Sequence, residues 1–143
     1  MSQLWIIKIG GNIIDDPEKL GRFMERFSQL RGKKILVHGG GKIATRMAAD
    51  LGIEARMVEG RRITDDAMLR VVTMVYAGLT NKQIVAGLQA HGCNALGLSG
   101  ADGNTIMAVK RPVGAVDYGF VGDIRPDSVD ADAISTLLES GFI

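Results

Sequence analysis

The sequence predicts an α/β fold in which strands and helices alternate and neighbouring strands run parallel. Two short apolar segments rich in β-branched residues, 4–9 and 35–37, predict strands that are buried on both faces. A helical pattern of apolar residues lies between them, and a strand–helix–strand unit brings its two strands together in parallel. Each strand runs into consecutive glycines, Gly10–Gly11 after the first and Gly39–Gly41 after the second. Both glycine turns are therefore expected at one carboxyl edge of the sheet, where open α/β sheets bind their ligands.

The composition limits the class of protein. The 143 residues suffice for one domain, and an apolar share of 46% is ordinary for a globular chain. A net charge of +1, with scattered basic residues, argues against nucleic acid or a membrane surface as a partner. No signal peptide precedes the first strand, and no apolar run is long enough to span a bilayer. The single cysteine, Cys93, is predicted to be a core residue in a reducing compartment, so we expect a cytoplasmic protein.

Two helices are predicted around the glycine turns. Asp16 suits an N-cap and Pro17 the first position of a helix that runs to about Leu30. Its apolar face repeats at spacings of three and four and consists of Leu20, Phe23, Met24, Phe27 and Leu30. The helix after the second turn, from Lys42 to Leu51, has its apolar residues at every fourth position: Ile43, Met47 and Leu51.

The second half of the chain predicts a hairpin around Glu59 and Gly60 and then a long helix. This helix is expected from Asp65 to His91, with apolar residues around much of its circumference. A helix that covers one sheet needs only an apolar stripe, so the excess predicts a second contact face. The remaining predicted elements are a strand at residues 94–99, a turn at residues 100–103 after which a strand at residues 105–109 returns to pair with the first, and a helix at residues 130–140.

The glycine turns predict an anion site. A strand that ends in glycines and leads into a helix presents unpaired backbone N–H groups to a ligand. Lys8 interrupts the first apolar strand and must reach solvent or meet an anion, because an unpaired buried ammonium is costly. Arg61 and Arg62 follow the hairpin turn and point to opposite faces, so only one of them can face the pocket. The plainest alternative is a tight connection that binds no ligand.

Three familiar motifs are incomplete in this sequence. His38 and the glycines after it match the oxyanion loop of esterases, but the Gly-x-Ser-x-Gly elbow is missing, since residues 97–101 lack the last glycine. A P-loop needs Ser or Thr after Lys42, where Ile43 stands, and Gly-x-Gly-x-x-Gly occurs at neither turn. Phosphoryl transfer remains, because it requires positioning and charge neutralisation rather than a covalent nucleophile.

Six motifs, taken in order, resemble the acetylglutamate kinases of the amino acid kinase family. They extend over nearly the whole chain and lie at residues 7–11 (Ile-Lys-Ile-Gly-Gly), 37–41 (Val-His-Gly-Gly-Gly), 60–64 (Gly-Arg-Arg-Ile-Thr), 81–82 (Asn-Lys), 99–103 (Ser-Gly-Ala-Asp-Gly) and 117–122 (Asp-Tyr-Gly-Phe-Val-Gly). The resemblance implies a three-layer αβα sandwich with a mainly parallel open sheet. It also implies transfer of the γ-phosphate of ATP to the side-chain carboxylate of N-acetyl-L-glutamate, or of another N-acyl-L-glutamate, in arginine biosynthesis. Mg²⁺ would be held mainly by the phosphates.

The resemblance also implies roles for individual residues. They are Lys8 as the catalytic lysine at the transferred phosphoryl group, Gly10 and Gly11 at the ATP phosphates, Gly40 and Gly41 at the substrate, and Arg62 at the α-carboxylate of the substrate. A bidentate arginine–carboxylate pair is a physical reason for the last of these. No protein ligand for a metal is implied.

Acetylglutamate kinases continue into a nucleotide-binding half that lies beyond these residues. We therefore expect residues 1–143 to form the N-terminal acylglutamate-binding and dimerisation domain and to be inactive alone. A homodimer is expected through the helix from Asp65 to His91. Two other interpretations stay open: a non-catalytic αβα module that binds an anionic metabolite, and another amino acid kinase that acts on carbamate, aspartate or glutamate.

Overall fold

The computed structural model describes residues 3–143 and confirms a mixed α/β fold with a parallel strand pair. In chain order the elements are β1 (Leu4–Ile9), α1 (Gly11–Ile14), α2 (Pro17–Gln29), β2 (Lys33–His38), α3 (Gly41–Asp50), β3 (Met57–Val58), β4 (Arg61–Arg62), α4 (Asp66–Val72), a π-helical segment (Thr73–Thr80), α5 (Asn81–Ala90), a 3₁₀ turn (Asp102–Asn104), β5 (Val109–Lys110), β6 (Gly122–Asp123) and α6 (Ala131–Glu139). Among these residues, no helix is both long and apolar enough to cross a membrane.

The parallel pair β1–β2 and the helix between its strands form as the sequence predicts. The register sets Leu4 opposite Lys33 and Ile9 opposite His38. The side chain of Asp16 caps α2 by accepting from the N–H groups of Glu18 and Lys19, each at 3.1 Å. At the other end of the helix, the buried ammonium of Lys34 donates to three backbone carbonyls at 2.9–3.0 Å, those of residues 27, 28 and 30. Lys34 thereby satisfies carbonyls that the helix end leaves unpaired.

Only one face of this strand pair is buried, which corrects the prediction of strands buried on both faces. Ile9 is 2% exposed and belongs to a core that α2 and α5 cover with Phe27, Ile84 and Leu88. On the opposite face Ile6 is 65% exposed. The apolar runs that suggested full burial arise because half of their residues pack on this core and the others form an open apolar face.

The helix predicted from Asp65 to His91 is present and contains a π-helical turn. Asp65 caps it by accepting from the N–H of Met68 at 2.9 Å. It ends at Ala90, two residues before Gly92, whose φ of +74° a glycine readily adopts. α3 packs on α4 through a second core made of Ala44, Ala48, Met68, Val71 and Val75.

Two predicted details are wrong. Leu51, expected on the buried face of α3, is 53% exposed, because the alanines at positions 44 and 48 form the contact with α4. Residues 94–99 and 105–109 do not pair with each other, since β5 pairs antiparallel with β6 instead. The backbone of residues 94–96 bonds to Ile143, with Asn94 accepting at 3.1 Å and Leu96 donating at 2.9 Å. The last predicted helix is present as α6, capped by the side chain of Asp130.

Candidate functional site

The two glycine turns lie side by side at one edge of the parallel pair. Ile9 and His38 are the last residues of β1 and β2, and they are register partners. Gly10 and Gly39 follow them directly, so both turns leave the pair at its carboxyl edge. The predicted convergence of segments about thirty positions apart in sequence is therefore confirmed by the strand register.

The helices that begin at these turns differ from others in how they are capped. Within the described residues, α2, α4 and α6 each begin with an aspartate side chain that accepts first-turn N–H groups. The four-residue helix α1 has Gly10 as its N-cap and the ten-residue helix α3 has Gly40, and neither cap residue supplies a side-chain acceptor. The first N–H groups of α3 are thus left for an acceptor from outside the helix.

Asp15, which was not among the predicted site residues, links the two turns electrostatically. Its carboxylate lies 3.8 Å from Nζ of Lys42 and 3.8 Å from Nη2 of Arg46, both on α3. A Cβ on Gly11 would lie 3.0 Å from Oδ2 of Asp15, so the carboxylate sits directly against the first turn. The signal in the sequence was an acid four residues after Gly11 and two basic residues one helical turn apart on α3.

Lys8 lies on the open face of β1, next to the first turn. Its neighbour Ile9 is buried in the core, and successive side chains of a strand point to opposite faces. Lys8 is exposed and makes no ion pair with any carboxylate of residues 3–143. The ammonium group therefore reaches solvent, which is the first of the two predicted alternatives. It is available to bind an anion there.

Arg62 lies against the second turn. Its Nη2 donates to the carbonyl of Gly41 at 3.0 Å and to the hydroxyl of Thr45 at 2.9 Å. Arg61 is exposed and also lines the cavity described below, so the prediction that only one of the two arginines can face the pocket is wrong. Geometry alone thus distinguishes the two arginines, because only Arg62 bonds to the helix that begins at the glycine turn.

A cavity of about 440 Å³ opens beside Arg62. Its lining combines three arginines with aromatic and aliphatic side chains: Arg61, Arg62, Thr64, Val72, Tyr76, Arg111, Tyr118, Phe120 and Val121. Arg111 donates from Nε to Asp123 at 2.9 Å, and this bond holds the pKa of the Asp123 carboxyl below its ordinary value. The cavity is suited to an anion that also carries an apolar group.

One wall of the cavity is fixed by an irregular segment. Thr64 accepts from the N–H of Phe120 at 2.7 Å and donates its own N–H to Tyr118 at 2.9 Å. Gly119 between them has a φ of +73°, and a Cβ there would lie 2.2 Å from the Thr64 carbonyl oxygen. The chain can approach this closely only at a glycine. This accounts for the glycine in the motif at residues 117–122.

The π-helical segment packs against the second glycine turn. A Cβ on Gly40 would lie 2.8 Å from the ring of Tyr76 and 3.3 Å from the hydroxyl oxygen of Thr80. Tyr76 also lines the cavity, so the turn and the cavity share this side chain. π-helical turns inside α-helices frequently lie at functional sites. The apolar pattern of the long helix gave no sign of this role for Tyr76.

Comparison with known proteins points to one family. The model of the amino acid kinase family matches residues 3–143. The chain is 60% identical over 143 residues to an acetylglutamate kinase of Cytophaga hutchinsonii, covering 99% of this chain and 53% of that one. It is 55% identical to an acetylglutamate kinase of Parabacteroides distasonis, covering 100% of this chain and 55% of that one. The chain therefore spans about half the length of these relatives.

A solved structure shares the fold. It is N-acetylglutamate synthase from Neisseria gonorrhoeae complexed with coenzyme A and N-acetyl-glutamate, superposed with a TM-score of 0.72 at 25% sequence identity. The match covers 98% of this chain and 32% of the synthase. The mixed α/β fold described above thus occurs in a larger protein whose crystals contain N-acetyl-glutamate.

Proposed function

Because this chain belongs to the amino acid kinase family, we propose that it forms the acylglutamate-binding part of an acetylglutamate kinase. The reaction transfers the γ-phosphate of ATP to the side-chain carboxylate of N-acetyl-L-glutamate. The observation that carries the proposal is the position of Arg62, whose guanidinium bonds to Gly41 at the glycine turn and borders a cationic cavity. A dicarboxylate bound there would have one carboxylate at the arginine and the other near the turn.

Each proposed site residue has a role that its position allows. Arg62 pairs with the α-carboxylate, and the N–H groups of Gly40 and Gly41 donate to the substrate and the transferred phosphoryl group. Lys8 neutralises charge on that phosphoryl group from the same edge of the strand pair.

We assign the ATP phosphates to the first glycine turn. A Cβ on Gly10 would meet no atom within 4 Å, so its backbone is open to a ligand. Gly11 begins a helix whose N-cap offers no side-chain acceptor, which leaves first-turn N–H groups for phosphate oxygens. Mg²⁺ would be held mainly by those oxygens, because it is a hard cation that commonly binds with substrate phosphates, and it supplies charge neutralisation.

The substrate assignment is tested by binding. N-acetyl-L-glutamate titrated into the ¹⁵N-labelled protein should shift the amide signals of Gly40 and Gly41. Arg62→Lys should weaken binding by roughly tenfold or more, because a bidentate pair to a charged group is lost. Arg22→Lys, at an exposed position on α2 outside the cavity lining, is the matched control and should bind as the parent does. Equal losses in both variants, or no binding by the parent, would remove the acylglutamate assignment.

Lys8 is tested by turnover in a chimaera that joins this chain to the carboxyl-terminal half of the Cytophaga hutchinsonii kinase. Lys8→Ala should lower acyl-phosphate formation, trapped as hydroxamate, by about 10²–10³-fold, as expected for removal of one preorganised charge-stabilising donor. Lys19→Ala, on the exposed side of α2, is the control. Unchanged turnover in Lys8→Ala would exclude Lys8 from catalysis. The unextended chain should give no hydroxamate.

We propose a second copy of this chain as the partner of the long helix. Met74 and Leu79 are 52% and 41% exposed in the π-helical segment, whereas Val75 between them is fully buried. The helix from Asp65 to His91 thus has two apolar faces, one for the core and one for a homodimer interface.

We place the protein in the cytoplasm, which suits the free, buried thiol of Cys93.

A further inference from the structure

The imidazole of His38 lies between the second glycine turn and the start of α5, and its two nitrogens face different partners. Nδ1 lies 2.9 Å from the carbonyl oxygen of Gly39. Nε2 lies 3.1 Å from Nδ2 of Asn81. The proposed function gives no role to this histidine or to the Asn81-Lys82 motif.

Lys82 fixes the orientation of the Asn81 amide. Its Nζ donates to Oδ1 of Asn81 at 3.1 Å and to the carbonyl of Gly97 at 3.0 Å. An ammonium group can only donate, so the amide oxygen faces Lys82 and the NH₂ group faces His38. Asn81 is 6% exposed, and a Cβ on Gly97 would lie 2.0 Å from Oδ1, so the glycine makes room for this amide.

We infer that His38 is a positioning residue of the second glycine turn: it is neutral, carries its proton on Nδ1 and donates it to the Gly39 carbonyl. Nε2 must accept from the NH₂ group of Asn81, which leaves the single ring proton on Nδ1, opposite an acceptor. The Gly39–Gly40 peptide is trans, and the C=O and N–H of a trans peptide point in opposite directions. The bond to His38 therefore directs the N–H of Gly40 away from the ring, as a donor on the other side of the turn.

The other neutral tautomer would reverse this arrangement. A proton on Nε2 would face the NH₂ group of Asn81, and the lone pair of Nδ1 would face the Gly39 carbonyl oxygen at 2.9 Å. Two hydrogen-bond donors would then face each other at Nε2, and two acceptors would face each other at Nδ1. Rotation of the Gly39–Gly40 peptide separates the two acceptors. The same rotation places the Gly39 carbonyl on the other side of the turn, where the N–H of Gly40 had been the donor. The inference rests on the proposed function only for the identity of the anion that this donor meets.

The tautomer is measurable in the protein as it stands. Long-range ¹H–¹⁵N correlation spectra separate protonated from unprotonated ring nitrogens, and the exposed His91, the other of the two histidines, is an internal reference. At neutral pH we expect His38 to show a protonated Nδ1 and an unprotonated Nε2. A protonated Nε2, alone or with Nδ1, overturns the inference.

Two variants test the chain of hydrogen bonds. In Asn81→Asp the new carboxylate can only accept, so Nε2 should become protonated, whether or not Nδ1 keeps its proton. Lys82→Met leaves Asn81 in place and should give a mixture of both tautomers, whereas the control Lys19→Met should keep the proton on Nδ1. An Nε2 that stays fully unprotonated in both test variants overturns the role of Asn81 and Lys82.

The measurements separate this inference from the proposed function. A proton on Nδ1 in a protein that does not bind N-acetyl-L-glutamate supports the positioning role and contradicts the substrate. Binding with the proton on Nε2 supports the substrate and contradicts the positioning role.

Discussion

Gly40 is the residue at which the fold and the candidate site constrain each other most closely. The ring of Tyr76 occupies the space beside its Cα, and the buried hydroxyl of Thr80 lies on the same side. Position 40 must therefore be a glycine, both for packing and for access of a ligand to the backbone of the turn. Gly39, one residue earlier, has nothing within 4 Å of the position of a Cβ.

Gly40→Ala should consequently damage both stability and binding. The added methyl must displace the ring of Tyr76, at a cost of about 1–3 kcal/mol in the free energy of unfolding, typical of overpacking. Urea denaturation measures that cost, and the same protein should lose the shifts that N-acetyl-L-glutamate induces. Gly39→Ala is the matched control and should keep the parental denaturation midpoint. Equal stability of Gly40→Ala and the parent would show that Tyr76 moves aside freely.

At the scale of single elements, capping and periodicity predicted the helices well. Asp16, Asp65 and Asp130 begin helices in the structure, and the apolar spacing of α2 describes its buried side. The hairpin around Glu59 and Gly60 is confirmed, whereas the later short strands were predicted poorly, because a strand of two residues depends on the partner it meets. Residues 105–109 show this, since Val109 pairs with Asp123 of a later segment rather than with residues 94–99. Nothing local in the sequence identifies that partner.

The hairpin β5–β6 carries a pH-dependent contribution to stability. The hydrogen bond from Arg111 lowers the pKa of Asp123 from its ordinary value of 3.8. A carboxyl whose pKa is lower in the folded state stabilises that state fully above the ordinary value, and this effect is lost as the pH falls through the folded-state pKa. Asp123→Asn should therefore lower the urea midpoint near about pH 7 and should differ less from the parent near about pH 3.

One control variant and one contrary outcome define the interpretation of that measurement. Asp127→Asn, at an exposed position in the same region, should leave the midpoint unchanged at both pH values. If the difference between Asp123→Asn and the parent stays constant with pH, then ionisation of Asp123 contributes nothing to the stability of the hairpin.

At the scale of the whole molecule, the sequence predicted where the glycine turns converge but not which surfaces stay open. Parallel pairing follows from the strand–helix–strand order, so the common edge of Gly10 and Gly39 was predictable. The tyrosine and aspartate that border the turns were not, because their proximity depends on how α3 and the π-helical segment pack. The same applies to Ile6 and Val37, which are apolar and nevertheless exposed.

The proposed homodimer is tested on the exposed side of the long helix. Leu79→Asp should shift the sedimentation coefficient from that of a dimer to that of a monomer, because a charge buried at the centre of an apolar interface costs roughly 2 kcal/mol or more. Leu51→Asp places the same charge on α3, at a leucine of similar exposure, and should leave the dimer intact. A monomeric parent, or dissociation in both variants, would exclude this helix as the interface.

The backbone bonds of Ile143 affect how the protein should be prepared for experiments. Its N–H and C=O already bond to Asn94 and Leu96 in the alternating pattern of a parallel ladder, and the residue borders an apolar groove between these residues and β2. An affinity tag fused directly after Ile143 would therefore start beside this groove, where its residues could pack into it. A proteolytically removable tag at the amino end avoids that artefact in every titration described above.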